Sequence, residues 1–487
     1  MASITSIYSE HVHRHPDQLA VKTPDREVSW REWHQLVLQT AGWLHSKEQE
    51  NKTVGIFMSN GLPFLQLFAG SAAAGWTAVP LDPKWSRDEL DKRLRVCSPS
   101  LIVTTESLSK KIDFIDTAIF SWESISNEIE QIQERSQREI AGHTPFYMGF
   151  TSGSTGAPKA FVRSQQSWLA SFKCNRHDFG LKENEYTLVP GALIHSHFLY
   201  GAISTLFLGG TVYLLEKFSP SATLQVIQNY RITAVYLVPT MIEALLRQDQ
   251  IVRQPLTFIS SGAKWEKDSK SKIRRMFPQL KMFEFYGAGE LSFVTVLSNE
   301  ENSERPDSVG KPCYSVAIQI RKESGEVAAS YETGKIYVKS ELVCDGYVTT
   351  TGVQRLQDSQ GWSTVDDMGY CDEEGFLYIK GREKNMILYG GINVFPEEIE
   401  AVLSLHPEVE LAAVVGLKDP YWGEVVAAVI KGRATKQPLK RLCKEQLASY
   451  KIPRKWFFME DIPMTAGGKI ARAKLKEELE KGVSSHL

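Results

Sequence analysis

Paired cysteines are missing from this chain. Its six cysteines, Cys97, Cys174, Cys313, Cys344, Cys371 and Cys443, are scattered, and none stands at CxxC or another metal-ligand spacing. That pattern argues against a disulfide framework or a thiolate metal site, and a reducing, cytoplasmic compartment is expected. An excess of one charge is missing too: 56 Lys and Arg face 58 Asp and Glu for a net charge of −2, with no basic block interleaved with aromatics. No nucleic acid or anionic lipid is implied as a partner. The N-terminal MASITSIYSEHVHRH lacks an apolar core of signal-peptide length, which argues against secretion. Ala192 to Leu215 lacks any formal charge and is long enough to cross a bilayer. It nevertheless holds His195, Ser196 and His197 at one end, breaks at Gly209-Gly210 and turns β-like at Thr211, so a buried helix followed by a buried strand is expected and no transmembrane segment.

What is present is enough apolar residue for large cores. With 487 residues, 42% hydrophobic and 23% charged, the chain is expected to form at least two domains. An amphipathic helix ends at His15-Pro16, a strand pair lies around Leu19 to Trp30, and a helix runs from Arg31 to Ser46. Thr53 to Met58, Gly61 to Ala74 and Trp76 to Val79 then read as strand, helix and strand, followed by a helix near Ser86 to Cys97 and a strand at Leu101 to Thr104. This βαβ rhythm predicts a mainly parallel, doubly wound sheet of the α/β class. His11, His13 and His15 have no partner cluster at ligand spacing and read as a solvated helix end. From Ser308 to Ile379 short strands and Gly-rich turns predict a β-rich subdomain.

One stretch concentrates polar chemistry. Thr151, Ser152, Gly153, Ser154, Thr155, Gly156 and Lys159 lie between an apolar run and the β-branched Val162. The two glycines permit backbone geometries that aim successive N–H groups at an anion, the hydroxyls add donors, and the lysine adds a point charge. Pro158 and the strand-like Ala160-Phe161-Val162 rule out a Walker loop, whose lysine opens a helix. A polyphosphate clamp and a flexible Ser/Gly turn both remain open on this stretch alone. Two further punctuated sites, Ser261-Gly262-Ala263 and Tyr286-Gly287-Ala288-Gly289-Glu290, read as turns at strand ends, where α/β sheets usually take ligands.

An ordered set of segments then gives the chain a family resemblance: VSWREW, AGWTAVPLDP, FTSGSTGAPKA, SGAKW, FYGAGE, SVGKP, ETGKIYV, Gly361 to Gly369, GREKNMILYGGINVFPEEIE, LASYKIP and PMTAGGKIAR. The chain resembles the adenylate-forming superfamily of acyl-CoA synthetases, luciferases and peptide-synthetase adenylation domains. The resemblance implies a large domain of doubly wound sheets with a β-rich subdomain over residues 1–383, and a small, mobile α+β domain over 384–487. It implies ATP, Mg2+ and a carboxylic acid as reactants: the acid attacks the α-phosphorus, pyrophosphate leaves, and the acyl-adenylate passes to a thiol. By that resemblance Thr151 to Lys159 cradle the β- and γ-phosphates, and Glu290, with Thr151, holds the metal. Gly262 and Ala263 lie under the adenine, with Tyr286 and Gly287 beside it. Asp367 accepts from both ribose hydroxyls and Arg382 contacts the nucleotide. Lys469 bridges the carboxylate and the α-phosphate where negative charge develops. Lys384 is the hinge between two poses, Gly390 and Gly391 line a pantetheine tunnel, and His195, rather than His197, is an aromatic gate to the carboxylate site.

The wording Tyr389-Gly-Gly-Ile-Asn-Val-Phe-Pro396 is the acyl-CoA synthetase form, which makes coenzyme A the expected acceptor. A free carrier protein is the alternative, and a catalytically weak nucleotide- or acyl-binding homologue is another. Three departures stand out: Gly289 replaces a threonine that touches the α-phosphate, Ala160 replaces a glycine, and Thr-Val-Asp replaces Arg-Thr-Gly before Asp367. The segments expected around the acid are apolar and, Lys264 apart, lack cations, which favours a fatty or aryl monocarboxylate over a dicarboxylate, with a medium- or long-chain fatty acid as the first expectation. A monomer or a homodimer is expected.

Overall fold

The computed structural model describes residues 3–133, 138–151, 158–248, 250–262, 267–389, 392–419, 421–465 and 468–484. The chain forms two compact units, one of residues 1–151, 158–318 and 338–363, the other of 152–157, 319–337 and 364–487.

The first unit holds two large sheets among the described residues. The nine-stranded one runs in the order Lys311–Pro312, Ser292–Leu297, Leu280–Ala288, Leu256–Ser260, Ala234–Leu237, Tyr186–Val189, Thr211–Leu214, Leu19–Lys22, Glu27–Ser29. The eight-stranded one runs Gly352–Gln354, Gly346–Thr349, Lys159–Ser164, Pro145–Thr151, Thr77–Pro80, Thr53–Phe57, Leu101–Thr104, Ala118–Ser121. The βαβ strands pair in parallel, among them the edge strand Ala118–Ser121, while antiparallel pairs gather toward the other ends of the sheets. Local chemistry sets the helices between them. Ser29 caps Trp30–His45 by accepting from the Glu32 N–H at 3.2 Å, and Ser86 with Glu89 forms a capping box at the start of Arg87–Cys97. The helix Leu62–Ala74 is buried on nearly every face and stops at Gly75, whose φ of 71° suits glycine. The uncharged run becomes the helix Ser196–Phe207 and the strand Thr211–Leu214, and among the described residues no helix is long and apolar enough to cross a membrane.

A chain of rings staples the two sheets. Phe146 meets Trp168 at 5.1 Å between centroids, Trp168 meets Tyr200 at 5.3 Å, and Tyr200 meets Phe293 at 5.0 Å. Each sheet therefore contributes an inward ring to one core, and strand ends on either side are held in fixed relation. His11 belongs to a packed end of the first helix, its Nε2 3.0 Å from the Phe207 carbonyl and its ring on Trp30. It is a structural histidine, not a solvated one.

Mostly of second-unit residues, Ala317–Arg321, Gly334–Lys339, Asp367–Cys371 and Leu377–Arg382 make a four-stranded sheet. The strands expected as one β-rich subdomain are thus divided. Lys311–Pro312 edges the nine-stranded sheet, and the hairpin of Gly346–Thr349 and Gly352–Gln354 edges the eight-stranded one. A further sheet is built on Val409–Asp419 and Gly423–Gly432, extended by Ile387–Tyr389, Ile392–Val394 and Lys455–Phe458. Alternation along Val409–Asp419 serves both faces: Ala412 and Val414 meet Ile399, Leu403 and Leu439, while Ala413, Val415 and Leu417 meet Leu475 and Leu479. Helices on both faces give this sheet two small cores.

Candidate functional site

The Gly/Ser stretch lies in sequence between two paired strands. Pro145–Thr151 and Lys159–Ser164 are antiparallel, and Thr151 pairs directly with Lys159. The neck of the loop therefore sets a hydroxyl opposite an ammonium. Ser152, Gly153, Ser154, Thr155 and Gly156 lie outside the described residues, as do Ala263, Gly390 and Gly391.

Glu290 approaches this neck through Tyr347. It is 6% exposed and accepts from the Tyr347 hydroxyl at 2.8 Å, while the Lys159 ammonium lies over the face of the same ring, 5.3 Å from its centroid. One tyrosine thus touches the loop lysine with its ring and the carboxylate with its oxygen. Arg163, four residues past Lys159 and only 2% exposed, fixes the backbone around Glu290. Its Nε donates to the Gly289 carbonyl at 2.9 Å and its Nη1 to the Leu342 carbonyl at 2.7 Å. Burial pulls its pKa down, and nearby Glu290 and Asp345 push it back up. Because its donors go to the two carbonyls and the Ser167 hydroxyl, Glu290 has no cation hydrogen-bonded to it among the described residues. A buried carboxylate of that kind suits a hard divalent cation.

Tyr286 to Ala288 is not a turn. The strand continues through Ala288 and pairs back on Ser292–Leu297, with an irregularity between Tyr286 and Gly287. Gly287 permits this approach, since a Cβ there would lie 2.0 Å from the Ser292 carbonyl oxygen. Gly262 does follow a strand end, with φ at 96°.

The departure at Gly289 has a steric partner. A Cβ at Gly289 would lie 2.7 Å from Phe161 Cε1 and 2.8 Å from Cζ. On the other side, a Cβ at Gly149 would lie 2.5 Å from the same Cζ. Phe161 is a ring in a slot made by two glycines, 2% exposed and edge-on to Tyr147.

The two histidines divide their roles. His195 is exposed and stands as the N-cap residue of Ser196–Phe207. Its loop is held by Asn60, whose Nδ2 donates to the carbonyls of Gly191 and Leu215 at 2.7 and 3.1 Å and whose Oδ1 accepts from the Leu193 N–H at 2.8 Å. His197 points inward, with Nε2 2.9 Å from the Leu237 carbonyl and its ring against Phe198, Tyr236 and Phe285. Burial pulls its pKa down to about 4, so the ring is neutral and Nε2 carries the proton given to Leu237.

In the second unit, Asp367 and Arg382 face each other across antiparallel strands, Arg382 Nε donating to Asp367 Oδ1 at 3.0 Å. Asp367 is 7% exposed. Lys384 is exposed within the 3-10 turn Glu383–Asn385, which links the four-stranded sheet to the strand Ile387–Tyr389. Lys469 is exposed on a tight reversal, where Met464 bridges Ile470 and the Thr465 N–H reaches the Lys469 carbonyl at 2.6 Å. Sequence reasoning missed Tyr347, Arg163, Phe161 and Asn60. Only Arg163 carried a signal, a charge directly after the apolar Phe161-Val162.

Residues 8–348 match the model of the AMP-binding enzyme family, and residues 398–469 match that of the AMP-binding enzyme C-terminal domain. The chain belongs to the AMP-binding enzyme family. Within this family it is 48% identical over 481 residues to the uncharacterized acyl-CoA ligase YhfT of Bacillus subtilis (strain 168), covering 99% of each chain. It is 27% identical to a 2-succinylbenzoate–CoA ligase of Bacillus cereus (strain Q1) over 96% of this chain and 97% of that one. Among solved structures it resembles the O-succinylbenzoate coenzyme A synthetase of Bacillus subtilis in complex with ATP and magnesium ion, with TM-score 0.89, 26% identity, and 98% and 99% of the two chains covered. The protein is an AMP-binding ligase of the adenylate-forming superfamily.

Proposed function

We propose that this AMP-binding enzyme joins a compact aryl or short carboxylic acid to coenzyme A, with ATP as the energy source and an acyl-adenylate as intermediate. The observation that carries the nucleotide half is the neck of the Gly/Ser hairpin. There Lys159 and Glu290, a cation and a buried carboxylate, flank one tyrosine. The lysine and the loop receive the polyphosphate, and Mg2+ held at Glu290 would neutralise the departing pyrophosphate. Asp367, steadied by Arg382, accepts the ribose hydroxyls, and Lys469 spans the carboxylate and the α-phosphate as charge builds between them. Residues 384–487 act as the moving lid about Lys384.

The acid is argued from rings. Beside Ser196–Phe207, the Tyr236 ring lies so close to Gly201 that a Cβ there would meet it at 2.7 Å. His197, Phe285, Phe293 and Tyr200 fill the interior behind it. Filled space favours a compact acid over the medium- or long-chain fatty acid expected from apolar segments alone, and the 2-succinylbenzoate specificity of a relative points the same way. The test is carboxylate-dependent exchange of pyrophosphate into ATP over a panel of short, aryl, fatty and dicarboxylic acids, followed by thioester formation with free coenzyme A. Exchange that persists in Lys469→Ala overturns the adenylation assignment. Turnover only with a carrier protein overturns the acceptor, and a preference for long chains overturns the acid.

A further inference from the structure

We infer that Tyr347 is a positioning residue for the metal-binding carboxylate and couples it to the phosphate-loop lysine. The inference rests on the assignment of Glu290 to the metal.

A carboxylate side chain in a cavity has two oxygens and a free torsion, and a metal needs one oxygen presented in one direction. Here the torsion is set from one side. Tyr347 donates to Oε1 at 2.8 Å, and Oε2 has no hydrogen-bond partner among the described residues. Tyr347 is itself fixed by the fold. It sits on the strand Gly346–Thr349, which pairs with Lys159–Ser164 through Gly346 to Val162 and Tyr347 to Phe161. The backbone on the far side is fixed as well, by the Arg163 bond to Gly289 and by the Cys344 N–H, which donates to the Glu290 carbonyl at 2.8 Å. Oε1 is thus occupied by a neutral donor that does not cancel the carboxylate's charge, and Oε2 is the oxygen left for the cation.

The same ring carries the second contact. With the Lys159 ammonium over its face at 5.3 Å, Tyr347 holds the lysine at the loop neck before polyphosphate arrives. A cation on the ring face polarises the phenol and strengthens the bond its hydroxyl gives to Glu290. When the lysine moves to a phosphate, the hydroxyl stays on Glu290 and keeps the carboxylate aimed at the cation that accompanies the phosphate. Lysine, tyrosine and glutamate therefore respond to Mg·ATP as one unit.

Tyr347→Phe keeps the ring and removes only the hydroxyl. Calorimetric titration should show Mg·ATP binding about tenfold weaker in this variant, with binding of metal-free ATP unchanged, because only a hydrogen bond to the metal carboxylate is lost. A melting curve of the free protein within a few degrees of wild type, on the order expected for one half-buried bond, establishes that the fold is intact. Glu290→Gln separates the two assumptions. If Glu290→Gln weakens Mg·ATP binding and Tyr347→Phe does not, the role of Tyr347 is refuted and the metal site stands. If neither does, the metal site itself is refuted. In the double variant, losses that add fully also refute the coupling, whereas a shared loss supports it.

Discussion

Replacing Gly289 by threonine restores the residue that the family pattern carries there, and the structure says it should fail alone. The new Cβ falls 2.7 Å from Phe161 Cε1 and 2.8 Å from Cζ, well inside ordinary carbon contact. The ring has no retreat, since Gly149 offers only a slot in which a Cβ would lie 2.5 Å from Cζ, and Tyr147 stands edge-on at 5.8 Å. Overpacking of a closed site costs about 1–3 kcal/mol, and that is the expected loss for Gly289→Thr in urea unfolding. Phe161→Ala alone empties a ring-sized volume and should cost about 3–5 kcal/mol. In the double variant each change relieves the other, so the loss should fall short of the sum by about 1–3 kcal/mol. Activity should follow the same logic. Single-turnover adenylation should slow in Gly289→Thr, and the double variant should exceed Phe161→Ala by up to about tenfold as a hydroxyl donor returns to the α-phosphate. A single Gly289→Thr variant that is as stable as wild type and faster would refute the steric reasoning.

Lys159→Ala should raise the KM for ATP by about tenfold, while Lys469→Ala should slow adenylation by on the order of 100- to 1000-fold and leave thioester formation from a supplied acyl-adenylate intact; equal losses in both half-reactions would overturn this division. Arg163→Leu leaves the Gly289 and Leu342 carbonyls without their donor and should cost about 2–5 kcal/mol in urea unfolding, a loss below about 1 kcal/mol counting against the clamp. His197 has a folded pKa of about 4, below its unfolded value, so its contribution is full above about pH 6.5 and is lost as pH falls toward 4. His197→Gln keeps a donor toward Leu237 and removes the titration, so its stability should fall less steeply over that window, by up to about 3 kcal/mol in total; an unchanged acid limb would show that His197 is not neutral in the fold.

Much of the first unit was legible because its determinants are local. The runs at Thr53, Gly61, Thr77 and Leu101 carry their own period and end signals, and each became the element its pattern predicts. Sheet membership was less legible. The strands after Ser308 look alike in sequence, and which edge each one joins depends on partners such as Phe161 and Val162, which pair with Tyr347 and Gly346. The same distance hid the positioning residues. Tyr347 reaches Glu290 across 57 positions and Arg163 reaches Leu342 across 179, and no spacing rule links them. His195 and His197 differ in burial because a helix begins between them, turning one ring outward and the other toward Leu237.

Two departures from the family wording, which motivate a binding-only homologue, are matched by their surroundings. Asp366 stands where the pattern has glycine, and its φ of 63° is the left-handed geometry that glycine adopts freely. Aspartate tolerates that geometry better than most residues, and this one gains Lys335 at 3.4 Å, a lysine that also pairs with Glu383 at 2.7 Å. The strained residue thereby joins a small ion network at the start of the strand bearing Asp367. At Gly289 the lost side chain is replaced in space by Phe161, and the backbone that presents Glu290 is held by Arg163 instead. Random loss of function removes contacts without supplying others in their place. At Gly289 and Asp366 the substitution comes with a neighbour beside Glu290 or Asp367, which argues for an altered site over a disabled one.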